Sequence, residues 1–246
     1  MARNGMEEFR DLLEKSHYTV ALCGSGMMAE GGTCVIRSDE RAYDIELKYG
    51  VSPEYIFSSA YYNTRPEKFF AFYREEILNV KQAQTESGKV MARLEREGKL
   101  HCIITGNIYE VSQRCGCRNV INLHGSIYNN WCPHCHASYS LEYVMKAKGI
   151  PRCERCHAVV RPLVSLYGEM VDSQVMTRAT EEIEKAELLL LLGTNMNSEL
   201  FSTYIRYFDG KAVVIIHQQP HYLDSEADLV FIDEPRNILS RLLVQE

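Results

Sequence analysis

The chain has 246 residues, of which 46% are hydrophobic and 24% are charged. This length is enough for one large domain with an insert or for two modest domains, and the composition excludes a mainly disordered protein. The formal net charge is −6, and the sequence has no run of Lys or Arg. Because a direct nucleic-acid binder normally carries a basic face, we expect no direct nucleic-acid partner. An acidic surface would instead attract basic protein tails.

Two features bear on location. The polar segment 1–10 lacks the basic stretch and apolar core that are typical of a secretory signal. The longest apolar run, Leu188–Leu192 with its flanks, is far shorter than the ~20 residues that a membrane span requires. We therefore expect a cytoplasmic protein without a membrane partner, in which the nine cysteines serve as thiols or metal ligands.

Short apolar runs alternate along the chain with stretches of helical spacing. The predicted buried strands are Tyr18–Cys23, Cys102–Thr105, Val120–Leu123, Leu163–Leu166, Leu188–Leu192, Val213–Ile216 and Leu229–Ile232. The predicted helices are Glu7–Lys15, Pro66–Val80, Lys89–Glu97, Ser173–Lys185, Ser198–Phe208 and Arg236–Val244. This alternation predicts an α/β fold with a doubly wound, parallel, Rossmann-like sheet.

Two regions interrupt this alternation. Residues 37–80 are rich in Tyr and Phe without a strong strand, and residues 127–160 hold paired cysteines. We interpret them as a helical insert and a zinc-ribbon insert that together form a smaller lobe. The Rossmann-like domain would then comprise residues 1–36, 81–126 and 161–246. No internal repeat is evident at this level.

Four cysteines form two Cys-x-x-Cys pairs, Cys132 with Cys135 and Cys153 with Cys156, separated by residues 136–152. Each pair turns two thiolates toward one point, and two such pairs make a tetrahedral Zn²⁺ site. Four thiolates fill the coordination shell of zinc and leave no position for a reacting water. The spacing therefore predicts one structural Zn²⁺ per chain and argues against a catalytic metal or four unrelated cysteines.

Small-residue turns close two of the predicted strands. The first turn is Gly24-Ser25-Gly26, and the second is Gly193-Thr194-Asn195. Ligands bind at the carboxyl ends of parallel strands, and glycines there let the backbone approach a pyrophosphate. An ordinary strand-to-helix turn would look similar to either one alone, but two such turns together indicate a nucleotide-binding crevice.

Four blocks, the first of which contains the glycine turn at residues 24–26, occur in an order that resembles the sirtuin family. Gly24-Ser25-Gly26 with Arg37 downstream is similar to the family's GAG…GIPDFR stretch, and Thr105-Gly106-Asn107-Ile108 is similar to its TQNID. His124-Gly125 lies shortly before the cysteine ribbon in the sequence. Arg161-Pro162 followed by Tyr167-Gly168-Glu169 is similar to RPxVVxFGE, and Gly193-Thr194-Asn195 stands where the family has GTS. The resemblance spans roughly residues 18–240.

This resemblance implies a Rossmann lobe, a zinc lobe and NAD as co-substrate in the cleft between them. It assigns His124 as general base, Asn107 to the nicotinamide ribose, and Leu166, Tyr167, Gly168 and Glu169 to an acyl-lysine protein or peptide. The expected cofactor-binding residues are Gly24, Ser25, Gly26, Met27, Arg37, Thr105, Gly106, Asn107, Ile108, Gly193, Thr194, Asn195, His217 and Asp233. His217 stands in the place of the family's asparagine at the adenine ribose. A histidine suits base catalysis near neutral pH, although a structural histidine before a turn would give the same pattern.

Several positions depart from the family pattern. Ser25 replaces an alanine, Met28 stands where a serine is usual, and Cys34-Val35-Ile36 replaces the Pro-Asp-Phe run before Arg37. Gly106 replaces a glutamine, and Tyr109 replaces the aspartate that contacts the nicotinamide carboxamide in relatives. The tyrosine hydroxyl can both donate and accept a hydrogen bond, so it can partly compensate.

These departures leave more than one function open. We expect a protein-lysine deacylase that transfers the acyl group to ADP-ribose and releases nicotinamide. The first alternative is a protein mono-ADP-ribosyltransferase, which the changes at Tyr109 and Met28 favour. The second is a non-catalytic module that binds NAD or ADP-ribose, and the third is an NAD hydrolase, which would follow if Ile36 fails to exclude water.

Overall fold

Two β-sheets organise the computed structural model, which describes residues 5–31, 39–80 and 83–243. The strands are β1 (Thr19–Cys23), β2 (Cys102–Thr105), β3 (Val120–Asn122), β4 (Gly125–Trp131), β5 (Ser138–Tyr139), β6 (Arg161–Val164), β7 (Leu188–Leu192), β8 (Ala212–His217) and β9 (Leu229–Ile232). The helices are α1 (Gly5–Lys15), α2 (Ser25–Glu30), α3 (Asp39–Tyr49), α4 (Pro53–Ile56), α5 (Ser59–Thr64), α6 (Pro66–Phe72), α7 (Glu86–Arg96), α8 (Val111–Arg114), α9 (Leu141–Lys146), α10 (Ser173–Glu184), α11 (Ser202–Ile205) and α12 (Pro235–Leu242). A π-helix follows α6 at Tyr73–Leu78, and a 3₁₀-helix lies at Tyr222–Glu226.

The larger sheet has six strands in the order β3-β2-β1-β7-β8-β9, and every recorded pairing in it is parallel. Strands β1 and β7 are buried along their whole length, which explains their unbroken apolar sequences. The strand order reverses between β1 and β7. This reversal is the topological switch point at which α/β sheets bind ligands, and it confirms the predicted doubly wound sheet.

Residue contacts divide the chain into two units. The first comprises residues 1–32, 83–123 and 172–246 and contains the six-stranded sheet. One face of this sheet packs on α1, α7 and α12, and the other face packs on α10 and α11. No helix in the part of the chain that the structure describes is long and apolar enough to cross a membrane.

The second unit comprises residues 33–82 and 124–171. Its three-stranded antiparallel sheet has the order β5-β4-β6. Its helical part has an aromatic core in which Phe57, Phe69 and Tyr73 stack with centroids about 6 Å apart. A buried carboxylate, Glu76 of the π-helix, accepts hydrogen bonds from Arg41 and from Lys48 Nζ (2.9 Å), both of α3.

One predicted strand is assigned to a different sheet from the one expected. The apolar run at 163–166 was expected in the parallel sheet, but β6 pairs antiparallel with β4, with Gly125 opposite Val164. Residues 161–171, which the sequence placed in the Rossmann-like domain, therefore fall in the second unit. A short apolar run does not show which sheet it will join, because its hydrophobicity is the same in both.

Candidate functional site

The carboxyl ends of five parallel strands meet at one edge of the larger sheet. Cys23 pairs with Thr105 on one side and with Leu192 on the other, Leu192 pairs with Ile216, and His217 pairs with Ile232. The predicted cofactor residues that this register brings to the edge are Gly24, Ser25, Gly26, Met27, Thr105, Gly106, Asn107, Ile108, Gly193, Thr194, Asn195, His217 and Asp233. Arg37 lies outside the described residues, as do Cys34, Val35 and Ile36.

The two small-residue turns touch each other directly at the switch point. The Gly24 N–H donates to Leu192 O (2.9 Å), and the Gly26 N–H donates to Gly193 O (3.0 Å). A Cβ atom added at Gly26 would lie 2.7 Å from Gly193 Cα, and one added at Gly193 would lie 2.6 Å from Met27 N. The glycines are therefore required by backbone packing between the two turns, in addition to any approach of a phosphate.

Asn107 follows β2 in a turn that its own side chain stabilises. Its Oδ1 accepts a 2.7 Å hydrogen bond from the Tyr109 N–H, and its N–H donates to Thr105 Oγ1 (3.1 Å). The hydroxyl of Thr105 donates in turn to Cys23 O (3.2 Å). Asn107 is buried and its Oδ1 is used within the turn, which leaves the amide nitrogen as the side-chain group that can donate a further hydrogen bond.

The backbone next to this turn is strained. Glu110 has a left-handed φ of 53° at the start of α8, and Tyr109 before it is buried. Non-glycine residues in this conformation cost about 1–3 kcal/mol and cluster at functional sites. The strained residue thus directly follows the block at residues 105–109, in which the sequence departs from the family pattern.

At the end of β8, His217 is bound to a carboxylate that the sequence analysis did not identify. Its Nε2 lies 3.1 Å from Asp224 Oδ2, which also accepts the His221 N–H (2.9 Å). One strand further on, Asp233 Oδ1 accepts hydrogen bonds from the Glu234 N–H and from Asn237 Nδ2, each at 2.7 Å. Asp233 thereby fixes the start of α12, while His217 and Asp224 form a pair at the carboxyl edge of the sheet.

His124 lies in the second unit, immediately before β4. Its carbonyl accepts the Ser165 N–H (3.0 Å), and its Nδ1 is buried with no hydrogen-bond partner among the described residues. Burial lowers the pKa of this imidazole below its usual 6.5. The neutral form, which can accept a proton, is therefore favoured at pH 7.

Gly125 explains why a glycine must follow this histidine. Its φ is +74°, and a Cβ atom there would lie 2.0 Å from Leu163 O of the neighbouring strand. The His-Gly pair is therefore fixed by strand pairing between β4 and β6. This local packing holds the histidine backbone in place.

The predicted peptide-binding segment, Leu166–Glu169, is itself paired on one side. The Tyr167 N–H donates to Phe57 O (3.1 Å), and Tyr167 O accepts the Ser59 N–H (3.0 Å). A parallel β-bridge links Tyr167 to Ser58. The backbone groups of Tyr167 are thus already used within the second unit.

The rest of this segment is held by a carboxylate. Glu169 accepts two bonds from Arg161 Nη2 (2.5 and 2.6 Å) and one from the Leu166 N–H (2.9 Å). In the hydrogen bonds recorded for residues 39–80 and 83–243, the N–H and C=O of Gly168 take no part. Gly168 therefore offers the free backbone groups with which an extended peptide would pair.

The four ribbon cysteines converge on one point. Their sulfur atoms all lie within 4.8 Å of one another, with Cys132 Sγ 3.3 Å from Cys156 Sγ and Cys135 Sγ 3.4 Å from Cys153 Sγ. A tetrahedral zinc with bonds of about 2.3 Å would separate its sulfur ligands by about 3.8 Å. The residues therefore fit a single tetrathiolate Zn²⁺, as the spacing predicted.

The two knuckles, residues 132–137 and 153–158, are structural copies with the sequence Cys-x-x-Cys-His-Ala. In each, the first cysteine N–H donates to the alanine carbonyl (2.8 and 2.7 Å), and its carbonyl accepts the histidine N–H (2.9 Å in both). The histidines, His136 and His157, have left-handed φ values of 57° and 61°. The sequence analysis did not predict this short internal repeat, because it considered the cysteine spacing and not the His-Ala that follows each pair.

Cys153 has an additional partner outside the knuckles. Tyr139 of β5 donates a 3.1 Å hydrogen bond to its Sγ, and the Glu154 N–H donates to the tyrosine oxygen (2.8 Å). Burial acts to raise the pKa of Cys153, but the tyrosine hydroxyl and nearby N–H groups outweigh it and lower that pKa, whereas burial and the adjacent thiols raise the pKa of Cys156. Cys153 is therefore readily available as a thiolate metal ligand.

Comparison with known proteins decides the family. A model of the Sir2 family matches residues 24–199. The chain belongs to the Sir2 family. An "NAD-dependent protein deacetylase" of Clostridium perfringens is 32% identical over 239 residues, covering 97% of this chain and 98% of that protein. One of Cutibacterium acnes is 36% identical over 227 residues, covering 92% and 93%. A solved structure described as "The Structural basis of Sirtuin Substrate Affinity" superposes with a TM-score of 0.88 at 26% identity, covering 97% and 98%.

The predicted site residues of this Sir2-family chain fall into two groups, one in each unit. The predicted cofactor positions lie along the strand ends of the first unit. His124 precedes β4 and Leu166–Glu169 follows β6, and these two strands are paired in the second unit. Asp224 and Tyr139 were missed by sequence reasoning. Their partners, His217 and Cys153, are seven and fourteen residues away in the sequence. No sequence motif relates residues at these separations, so only the fold shows that they are in contact.

Proposed function

We propose that the chain is an NAD-dependent protein-lysine deacylase of sirtuin type, which transfers the acyl group to ADP-ribose and releases nicotinamide. The observation that carries the proposal is His124, a half-buried histidine directly before the zinc-bearing insert, whose Nδ1 is buried without a partner among the described residues and whose pKa is lowered by burial. Relatives at 32% and 36% identity across nearly the whole chain are named NAD-dependent protein deacetylases. Their names and the residue chemistry point to the same reaction.

The proposed residue roles follow from the contacts. NAD, when bound, supplies an electrophilic ribose carbon and nicotinamide as its leaving group. The glycine turns at residues 24–26 and 193–195 would carry the pyrophosphate at the switch point. Asn107 would donate its amide N–H to the adjacent ribose, and the neutral imidazole of His124 would accept a proton from a ribose hydroxyl. Gly168 would align the acyl-lysine peptide through its free N–H and C=O groups.

The decisive experiment separates the reaction classes by their products. The protein is incubated with NAD and an acetyl-lysine peptide, and the products are identified by mass spectrometry. Deacylated peptide with O-acyl-ADP-ribose supports the proposal. A protein carrying ADP-ribose would instead identify a transferase, free ADP-ribose alone a hydrolase, and unchanged NAD a binding module.

Replacing His124 tests its role. His124→Ala should still bind NAD and exchange nicotinamide, but it should lose about 10²–10⁴ in deacylation rate, as general-base removal usually does. His101→Ala is the matched control, since burial also lowers the pKa of His101, but its Nδ1 accepts the Thr19 N–H at the opposite end of the sheet. The control should lower the melting temperature without a selective loss of deacylation. Equal loss of binding, exchange and deacylation in His124→Ala would mark a structural histidine.

We also infer a cytoplasmic location. The eight cysteines among the described residues are all unpaired thiols, as is typical of proteins in a reducing compartment. Cell fractionation with a tagged full chain tests the location, and recovery in a secreted fraction would contradict it.

A further inference from the structure

Two cysteines, Cys115 and Cys117, flank a glycine at the end of α8 in the first unit. Gly116 has a left-handed φ of 105°, and its N–H donates to Gln113 O (2.9 Å). The Cys117 N–H donates to Ser112 O (3.1 Å), so the helix ends in a Schellman turn. In a helical turn, two Cα atoms on either side of one residue are about 5.4 Å apart. This separation suits a disulfide, which usually joins Cα atoms about 4.4–6.8 Å apart.

Both sulfur atoms lie against the same residue, Gly88 in the first turn of α7. A Cβ atom added at Gly88 would lie 2.5 Å from Cys115 Sγ, so the missing side chain makes room for this sulfur. Cys117 Sγ lies 3.7 Å from Gly88 O. The two thiols therefore leave the turn toward one common neighbour, as a disulfide between them requires.

The two thiols differ in their access to solvent. Of the cysteines outside the ribbon that the structure describes, Cys23, Cys102 and Cys117 are buried, whereas Cys115 is half-buried. The Thr85 N–H, at the start of α7, donates to Cys115 Sγ (3.4 Å). Such a hydrogen bond strengthens when the sulfur carries the charge of a thiolate, which is the form that peroxides oxidise. Cys115 is therefore the thiol of the pair that a reagent from solution meets first.

Cys117 is suited to a second step. Burial, with the nearby charge of Glu95, raises the pKa of its thiol to about 12. The thiol therefore stays protonated and reacts little with reagents from solution. Cys115 is nevertheless held beside it within the same turn, so an intramolecular attack on an oxidised Cys115 sulfur is favoured by proximity.

We propose that Cys115 and Cys117 form a modification site at which a hydroperoxide converts the dithiol into a reversible disulfide. With hydrogen peroxide, the Cys115 sulfur first attacks one oxygen. An S–O bond forms, the O–O bond breaks, and the displaced oxygen leaves with the thiol proton as water. The Cys117 sulfur then attacks the Cys115 sulfur, so that an S–S bond forms and the S–O bond breaks, and the hydroxide leaves with the Cys117 proton as a second water. The peroxide gains the electron pair that the sulfurs lose.

The experiment treats the zinc-loaded full chain with equimolar hydrogen peroxide and maps the products by mass spectrometry without reduction. Trypsin cleaves after Arg114 and Arg118, so the peptide 115–118 contains both thiols and no other cysteine. We expect this peptide to lose a pair of hydrogen atoms before zinc is released, and dithiothreitol to restore them. Oxidation of the ribbon cysteines with release of zinc before any change in peptide 115–118 would overturn the proposal.

Single substitutions separate the two steps. Cys117→Ser should stop at the sulfenic acid of Cys115, which dimedone traps. Cys115→Ser should slow oxidation of the same peptide more than about tenfold, because the remaining thiol is buried and protonated. Cys102→Ser is the matched control, since burial also raises the pKa of Cys102 to about 12 but this residue lies on β2 outside the turn. It should leave oxidation of peptide 115–118 unchanged.

Two results would refute the pairing of these thiols. One is a wild-type protein in which Cys115 is trapped as a sulfenic acid but no disulfide forms. The other is a Cys115→Ser protein whose peptide 115–118 is oxidised as fast as in wild type. The wild-type peptide map decides the first point however well the variants fold. Neither step involves NAD or an acyl peptide, so the inference does not depend on the proposed function.

Discussion

The close contact between the two glycine turns makes a quantitative prediction about Gly193. Alanine at this position would keep the left-handed φ of +62°, which costs about 1–2 kcal/mol for a residue with a Cβ. The new Cβ would also lie 2.6 Å from Met27 N and 2.7 Å from Gly26 Cα, and neither backbone atom can rotate away. Forcing an extra carbon into packed surroundings costs about 1–3 kcal/mol more. The total expected loss in the free energy of unfolding is therefore about 2–5 kcal/mol.

Gly98 provides a matched control in the same unit. Its φ of +70° imposes the same conformational strain, but a Cβ there would meet nothing within 4 Å. Gly98→Ala should therefore cost only the strain, about 1–2 kcal/mol. The difference between the two variants isolates the contact between the turns.

Urea denaturation followed by far-UV circular dichroism measures both losses. Tryptophan fluorescence is unsuitable, because the single tryptophan, Trp131, lies in the second unit whereas both glycines lie in the first. Equal losses for Gly193→Ala and Gly98→Ala would refute the reasoning. The same contact means that bulky residues at Gly26 would damage the fold, so they cannot serve as clean tests of pyrophosphate binding.

Four further predictions concern the metal site, the pH dependence of activity, the pH dependence of stability, and a buried charge. Elemental analysis of wild-type protein should find one zinc ion per chain, and Cys153→Ser should hold less zinc and misfold more readily. Wild-type protein that is folded but free of zinc would contradict the proposed metal site. Because burial lowers the pKa of His124, the acid limb of kcat/KM for deacylation should have its midpoint below pH 6.5, and a midpoint above 6.5 would contradict its assignment. The same sign means that His124 contributes stability at neutral pH that is lost on acidification, so thermal unfolding of His124→Ala should depend less on pH between about 7 and 5. Glu76→Ala removes a buried acceptor of hydrogen bonds from Arg41 and Lys48 and should cost about 1–3 kcal/mol in urea denaturation, since both cations are partly exposed and Lys48 keeps Glu75 as a partner. An unchanged denaturation midpoint would show that the network is dispensable.

The central strands were predictable because their signal is local. Leu188–Leu192 and Cys102–Thr105 are observed with the predicted bounds, since a strand buried on both faces needs a continuous apolar run. The metal ligands were predictable for a similar reason, because zinc imposes a fixed spacing on its knuckles.

Other elements depend on contacts that the sequence does not reveal. Helix α3 was not predicted, since Tyr43 and Leu47 point outward with 68% and 75% of their surface exposed and give no inward apolar stripe. The helix expected from residue 198 is reduced to Ser202–Ile205. Asn195 accepts the Asn197 N–H (2.9 Å) through its side chain, and this local turn competes with helix formation.

The candidate site shows the same limit. Spacing and resemblance pointed to His217, but they gave no sign of the carboxylate that orients it. The Tyr-Gly-Glu sequence predicted the peptide-binding segment, yet only the fold shows that Tyr167 is already paired with residues 57–59 and that Gly168 makes no backbone hydrogen bond to the described part of the chain. Residues far apart in sequence acquire partners through the fold, and single-sequence reasoning does not reach those partners.

In the parallel sheet all strands run in the same direction, so residues that stabilise the fold and residues of the candidate site lie at opposite edges. The opposite edge, where the strands begin, carries contacts such as Tyr18 Oη to Glu182 Oε2 (2.6 Å) and His17 Nδ1 to Glu187 Oε2 (3.1 Å), which join elements distant in sequence. Substitutions there should alter thermostability without touching the glycine turns at the other edge. A lineage of such proteins can therefore adapt to a warmer or colder habitat at one edge while its chemistry stays unchanged at the other.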